Sequence, residues 1–466
     1  MIFLILALGF VLRLITLNQS FWLDEADNVV AARGLDFISF ISKYPLGDFH
    51  PPGYFILLWI WGHLFGFGEI NVRLLSVILG FGTICLTYLI GKKLFNNKVA
   101  QIGSLFLAVA PLHVYYSQEA RMYSLSAFAA VLSFYYFIKV LNKEKWSFLG
   151  LGLSTALVLY SDYVTYLVIP SQFVFLLLYE RSRIGKWMMA HLISVLLFLP
   201  WVLVLPGQIA VGIKASIDLP GWKKVAGGAD FKNLALVFIK TILGRISFDN
   251  KIIYGLLASG AGVVYGLLLF LGFRKGGNKT KLLLLWIFVP IILAFLISFY
   301  IPMLSYFRMI YILPALYLLM AKGCVSLKGL WQRLAIGIIL AISSISLFIY
   351  YTNPVFQRED WRAVARFLDN ISGPKLVLFE DNHVKFPYLY YAKDLKDAHP
   401  GLKKVQAREI EDVTDITGKK VYLFDYLVEI TDPKRLINQK LKSLGYKQTN
   451  LYNFNGVGFI RLYEIQ

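Results

Sequence analysis

From Asn71 to Gly91 the chain reads NVRLLSVILGFGTICLTYLIG, an apolar run with a single charged residue, Arg73. Crossing the hydrocarbon core of a bilayer takes roughly 20 helical residues, and this run has that length. Similar runs recur near 1–17, 99–116, 122–141, 147–161, 163–179, 188–205, 251–273, 282–301, 309–321 and 334–351, with short polar loops between them. Of 466 residues, 58% are hydrophobic and 16% aromatic, and the mean hydropathy is +0.62. A soluble core cannot hide that much apolar surface. The reading is a mainly α, polytopic transmembrane helical bundle of about eleven spans. The first run contains Arg13, has no basic segment before it and no small-residue cleavage site after it. It reads as an uncleaved helix rather than a signal peptide.

The formal charge of +19 would suit nucleic acid, but the cations are dispersed among the loops between apolar runs. Membrane orientation explains them better, so no nucleic-acid partner is expected. Lys92, Lys93 and Lys98 share one loop, and Lys143 and Lys145 the next loop of the same parity. Arg181, Arg183 and Lys186 follow, then Arg274, Lys275, Lys279 and Lys281, and finally Lys322, Lys328 and Arg333. The positive-inside rule makes that side cytoplasmic. The N-terminus is then inside a multi-pass plasma-membrane protein, and the C-terminal residues are outside. Cys85 and Cys324 lie in or at the ends of apolar runs, too few for a disulfide framework and without metal-ligand neighbours.

Two outer segments are more than loops. Residues 51–66, PPGYFILLWIWGHLFG, start on a proline pair and carry Trp59 and Trp61, as an interfacial helix would. Residues 232–247, with Lys240 and Arg245, read as a second such element. From about 352 the composition changes. Strand-like runs (KLVLF, KVYLFDY, GVGFIRLYEI) alternate with helix-like runs (EDWRAVARFLDN, PKRLINQKLKSL), as in a small soluble α/β domain. The expected division is a membrane domain over 1–351, with the outer loop 18–70 inside it, and an extracytoplasmic domain over 352–466.

Chemistry concentrates in the first outer loop. Asp24, Glu25 and Asp27 cluster just beyond the first run, followed by Asp36, Asp48 and His50. Adjacent carboxylates at a membrane surface suit a general base that deprotonates a hydroxyl; solvated loop acids are the plain alternative. The string Asp24-Glu25-Ala26-Asp27 resembles a helicase box, but no phosphate-binding loop accompanies it; Gly276-Gly277-Asn278-Lys279-Thr280 is a near miss without a preceding strand. A second cluster holds Tyr115, Tyr116, Ser117, Gln118, Glu119, Arg121 and Tyr123. Arg121 could bind a phosphate as a planar fork, pair with one of the carboxylates, or simply snorkel at the interface. Tyr306, Phe307 and Arg308 form a third group, and Asp162 sits at a further outer turn, as a structural cap or as part of the site.

The runs FWLDEADNVVAARG, FHPPGYFILLWIWGHLFGFGEINVRLLSVILG and PLHVYYSQEARMYSL, with YFRMIYILPALYLLMAKG and EDWRAVARFL later, carry a resemblance. The chain resembles the prokaryotic membrane glycosyltransferases related to protein O-mannosyltransferases and aminoarabinose transferases, within the GT-C superfamily. That resemblance implies a polyprenyl-phosphate sugar donor and inverting transfer to a hydroxyl on the outer face. It makes Asp24 and Glu25 the catalytic acids, with Asp24 the first choice of base. It puts His50, Arg121 and Arg308 near the lipid phosphate or the acids, with Glu119, Tyr123 and Asp162 as further substrate-binding residues. Relatives often carry a His-Tyr pair where this chain reads Ser161-Asp162-Tyr163, which leaves the donor-sugar role of that turn open.

The residues agree with that chemistry. An acceptor hydroxyl attacks the anomeric carbon while a carboxylate takes its proton, and cations stabilise the departing phosphate. Arginines can replace a metal on a monophosphate, so no cofactor is expected, though the acidic cluster leaves room for a divalent ion. The expected partners are the lipid-linked donor, an acceptor glycan, lipid or protein, and membrane lipids. A transporter or flippase of lipid-linked sugars is the alternative; it should show repeat symmetry and mid-membrane ionisable groups. A polysaccharide polymerase or ligase would carry its catalytic residues in a large late loop instead.

Overall fold

The structure, a computed structural model, describes residues 1–219, 227–274, 276–418 and 420–465; Lys275 of the basic loops lies outside the described residues. The chain divides into two units. One comprises Met1–Leu17, Asp48–Gln208 and Ala226–Thr352, the other Asn18–Gly47, Ile209–Val225 and Asn353–Gln466. One division falls between Thr352 and Asn353. Residues 18–47, however, group with the C-terminal residues and not with the membrane helices.

In the membrane unit every expected run is helical. Among the described residues six helices are long and apolar enough to cross a bilayer: Glu69–Leu94, Tyr123–Leu141, Arg181–Val202, Lys251–Arg274, Asn278–Ile297 and Gly329–Thr352. Asn97–Ala108 and Pro111–Ser117 make a seventh if taken together, bent by 62°. The other four expected runs are the shorter helices Ile2–Leu14, Ser147–Ser161, Tyr163–Tyr179 and Ile310–Ser326. The expected straight span over 99–116 is therefore broken. Pro111 has no N–H to give and disfavours helix at the residue before it. Arg13, fully buried, occupies the break: its guanidinium donates to the carbonyls of Ala108 at 3.0 Å and Leu107 at 3.4 Å and to Ser117 Oγ at 3.1 Å. A guanidinium inside an apolar bundle is tolerated because those acceptors surround it.

The basic loops meet at one end of this bundle. Lys93 bonds Glu144 at 2.6 Å, Lys98 bonds Gln332 at 2.8 Å, Lys281 lies over the Tyr179 ring and Lys322 over the Phe95 ring. The expected interfacial helix is Gly53–Phe65. It starts against the end of Ser147–Ser161, where a Cβ on Gly53 would come within 2.3 Å of the Tyr160 carbonyl oxygen.

In the second unit a five-stranded sheet has the order β2-β1-β3-β5-β4, with β1 Leu376–Phe379, β2 Ala398–Pro400, β3 Lys420–Phe424, β4 Tyr446–Phe454 and β5 Gly458–Ile465. β1 pairs in parallel with β2 and β3; β5 runs antiparallel to β3 and β4. Successive strand residues face opposite sides. Val377, Phe379 and Phe424 pack with Trp361, Val364 and Leu368 of the helix Trp361–Asp369. Leu378, Val421 and Leu423 pack on the other side with Leu436, Ile437 and Leu441 of Leu436–Ser443. β4 has no apolar alternation to announce it. It is a largely exposed edge strand, and polar side chains keep such an edge soluble.

Candidate active site

Asp24 and Glu25 occupy the first turn of the helix Leu23–Gly34, where carboxylates favour the positive end of the helix dipole. Ala26, Val29 and Ala32 face inward, and Glu25 is buried with them. Within the C-terminal unit this helix is tied down just before it begins. The Phe21 N–H donates to the Tyr391 hydroxyl at 2.8 Å, the Phe21 ring meets Tyr390 edge-on at 4.9 Å, and Leu23 packs against the Trp361 side of the sheet. The two acids therefore stand on a rigid element rather than on a free loop.

The membrane unit gathers the remaining candidates. Arg121 Nη1 pairs with Asp48 Oδ2 at 2.8 Å, and both side chains are less than 10% exposed. His50 Nδ1 bonds the other oxygen of Asp48. Burial would raise the Asp48 carboxyl, but the Arg121 guanidinium and then His50 outweigh it and hold it down to about 2. Gln208 Nε2 donates to the His50 carbonyl at 3.0 Å, and Gln208 Oε1 accepts from the Tyr163 hydroxyl. That amide links His50 to the Ser161-Asp162-Tyr163 turn. There Asp162, buried, accepts from the Val164 N–H at 3.3 Å as the cap of a short 3-10 turn. Its Oδ2 is buried without a hydrogen-bond partner among the described residues.

Tyr123 opens the helix Tyr123–Leu141, and Glu119, only 1% exposed, lies in the turn before it. Aromatic rings connect this turn to two arginines. Tyr115 contacts Tyr116 at 5.1 Å, Tyr116 contacts Phe307 at 6.2 Å, and Tyr123 contacts Phe307 at 5.5 Å. Arg308 lies 5.8 Å from the Phe307 ring centre and donates Nη1 to the Pro302 carbonyl at 2.9 Å. Its Nε is buried without an acceptor among the described residues. At the other end of the ring series, exposed Arg245 stacks 4.8 Å from the centre of the Tyr115 ring and donates to its hydroxyl at 2.8 Å. Among the described residues no group of three or more His, Cys, Asp or Glu side chains is placed to hold a metal ion.

The model of the dolichyl-phosphate-mannose-protein mannosyltransferase family matches residues 49–206. No curated protein sequence matches. Among solved structures, ArnT from Cupriavidus metallidurans bound to undecaprenyl phosphate superposes with a TM-score of 0.56 at 12% identity, over 99% of this chain and 97% of that one. The fold is the GT-C fold. The apo form of ArnT gives 0.59 at 11% identity over the same shares of both chains. The archaeal oligosaccharyltransferase AglB from Archaeoglobus fulgidus, with an inhibitory peptide and a dolichol-phosphate, gives 0.55 at 11% identity over 98% of this chain and 74% of that one. That fold meets the fold expected from the sequence. The family match takes in His50, Glu119, Arg121, Tyr123 and Asp162 but stops short of Asp24, Glu25 and Arg308.

Sequence reasoning assigned no role to Asp48, Gln208 or Arg245. Asp48 stood two residues from His50, which was a usable signal, and Arg245 was a cation on an outer apolar segment. Nothing local marks Gln208.

Proposed function

We propose that this chain is a membrane glycosyltransferase that moves a sugar from a polyprenyl-phosphate donor to an acceptor hydroxyl, with inversion. Arg308 is the observation that carries the reading. A guanidinium stacked on a ring, with a buried N–H lacking an acceptor, calls for an anion. The GT-C fold, and the undecaprenyl phosphate bound to ArnT, suggest a lipid phosphate as that anion.

In this reading Arg308, with Arg121, His50 and Arg245, stabilises the negative charge that grows on the phosphate oxygen as the bond from the anomeric carbon breaks. Asp24 takes the proton from the acceptor hydroxyl as its oxygen bonds to the anomeric carbon, and Glu25, buried beside it, orients that carboxylate. The sugar leaves on the acceptor and the lipid leaves as its phosphate.

Asp24→Asn tests the base. The amide is nearly isosteric and cannot accept the proton, so turnover of undecaprenyl-phosphate mannose in nanodiscs should fall by about 10²–10⁴-fold. Binding of undecaprenyl phosphate should persist. Glu25→Gln should be milder. Near-native turnover in both variants would remove the base from this helix, whereas native protein that binds undecaprenyl phosphate but turns over no donor would leave a carrier of lipid-linked sugars as the better reading.

A further inference from the structure

Where the helix Tyr123–Leu141 ends, the chain turns sharply into the helix Ser147–Ser161. Two residues of that turn, Lys143 at φ +63° and Trp146 at φ +59°, lie in the left-handed region, which side chains other than glycine enter at a cost. Burial does not offset that cost at Trp146, which is 62% exposed. The turn forms one wall of a cavity of about 260 Å³, lined by Glu144, Lys145, Trp146 and Phe148 and, on the other side, by Lys186 and Met189 of the helix Ile184–Val202. A turn beyond Phe148 the two helices touch, where a Cβ on Gly152 would lie 2.9 Å from the Ala190 carbonyl oxygen. The same two helices carry the exposed apolar side chains Leu149, Leu153, Met188 and Leu192.

The charge in this cavity is unbalanced. Glu144 is the acid of its lining, and both of its oxygens are already engaged, Oε1 by Lys93 at 2.6 Å and Oε2 by Lys139 at 3.2 Å. Lys145 and Lys186 have no carboxylate partner among the described residues. Lys145 lies instead 5.8 Å from the centre of the Trp146 ring, which stands 6.2 Å from that of Phe148. Arg183, three residues before Lys186, has a buried Nε–H without an acceptor among the described residues, so this rim also calls for an anion. The cavity lies at the Lys139 end of the helix Tyr123–Leu141, whereas Tyr123, in contact with Phe307 beside Arg308, opens the other end. It is therefore separate from the candidate donor site. Uncommitted ammonium groups above apolar side chains, with an exposed indole at the end of a membrane bundle, match a phosphate diester carried on acyl chains. We infer that this cavity binds the headgroup of an anionic glycerophospholipid, with Lys145 and Lys186 on its phosphate and Trp146 against its glycerol. A soluble phosphate would meet the same two cations but make no use of Trp146, Phe148 and Met189. The inference does not depend on the transferase reading.

The test titrates phosphatidylglycerol and, separately, phosphatidylcholine into the full chain in detergent and counts bound lipid by native mass spectrometry. The native chain should take up phosphatidylglycerol in preference. Replacing both Lys145→Gln and Lys186→Gln should weaken that binding by roughly 10- to 30-fold, since each lysine near an anionic lipid contributes separately. Phosphatidylcholine uptake and the thermal midpoint should stay native. Lys279→Gln with Lys281→Gln removes the same charge from the same end of the bundle but outside the cavity, and should leave phosphatidylglycerol binding unchanged. Trp146→Gly suits the backbone at that position, so it should fold normally and weaken phosphatidylglycerol binding by about threefold, through loss of the ring beside Lys145. Equal uptake of the two lipids, or equal losses in the two double variants, would overturn the site and leave only diffuse surface charge. Displacement of phosphatidylglycerol by inorganic phosphate at equal concentration would overturn the lipid as its occupant.

Discussion

Asp48 lies between His50 and Arg121 with 9% of its side chain exposed, and its behaviour with pH follows from that position. Its folded pKa of about 2 lies below the ordinary aspartate value of 3.8. The pair therefore contributes stability above the unfolded value, and that contribution is lost as pH falls from about 4 through about 2. A depression of that size corresponds to roughly 2 kcal/mol. Asp48→Asn should flatten the fall in thermal midpoint between pH 5 and pH 2.5 that the native protein shows in detergent. Arg121→Gln should be worse at pH 7, by roughly 3–5 kcal/mol, because it strands a buried carboxylate. Arg308 has a buried Nε–H without an acceptor among the described residues. Arg308→Ala should weaken undecaprenyl phosphate binding by roughly 1.5–3 kcal/mol while leaving the thermal midpoint nearly native. Arg308→Lys should recover only part, since an ammonium cannot form a two-pronged contact. Native affinity in Arg308→Ala would remove that residue from the phosphate site.

Among elements, the broken span 97–117 shows how one side chain sustains an irregular backbone. At the bend the Leu107 carbonyl keeps only the Ala110 N–H at 3.3 Å, because Pro111 has no N–H to give, and Arg13 from the first helix donates to it and to the Ala108 carbonyl. It also meets His113 Nδ1 at 2.6 Å. Gly80 makes room on the opposite side, where a Cβ would lie 2.2 Å from Ser117 Oγ. Arg13→Leu keeps an apolar helix but strands those acceptors inside the bundle, so it should lower stability by roughly 3 kcal/mol or more. Thermal unfolding of the detergent-purified protein measures this, and Arg13→Lys should restore a fraction. An unchanged midpoint in Arg13→Leu would mean the bend holds without it.

For the whole molecule, sidedness follows from charge. The basic loops converge through Lys93–Glu144, Lys98–Gln332 and Lys281–Tyr179, so one end of the membrane unit is cationic. Arg121 and Tyr123 lie at the opposite end of the helix that ends near Lys139. The positive-inside rule predicts a cytoplasmic cationic end and an external C-terminal unit. In intact cells, an impermeant thiol reagent should label a cysteine placed at Lys404 and spare one at Lys279. The reverse pattern would put the acids on the cytoplasmic face. Because residues 18–47 belong to the C-terminal unit, deleting 353–466 should abolish turnover and not merely alter acceptor choice. A truncated chain that still turns over undecaprenyl-phosphate mannose would contradict this.

The sequence by itself determined where the chain is apolar, which loops are cationic, and that a small α/β unit follows about residue 352. Those are properties of short windows, set by partition between water and hydrocarbon and by a period of two or 3.6 residues. It also marked Asp24, Glu25, His50, Arg121 and Arg308, because ionisable groups beside apolar runs stand out. Only the tertiary structure decided the partners. Asp48 pairs with Arg121, and Gln208 joins His50 to Tyr163. The polar edge strand β4 and the bend before Pro111 likewise escaped the sequence. In each case the stabilising contact is made by a residue distant along the chain, and no local pattern records which distant segment folds back to make it.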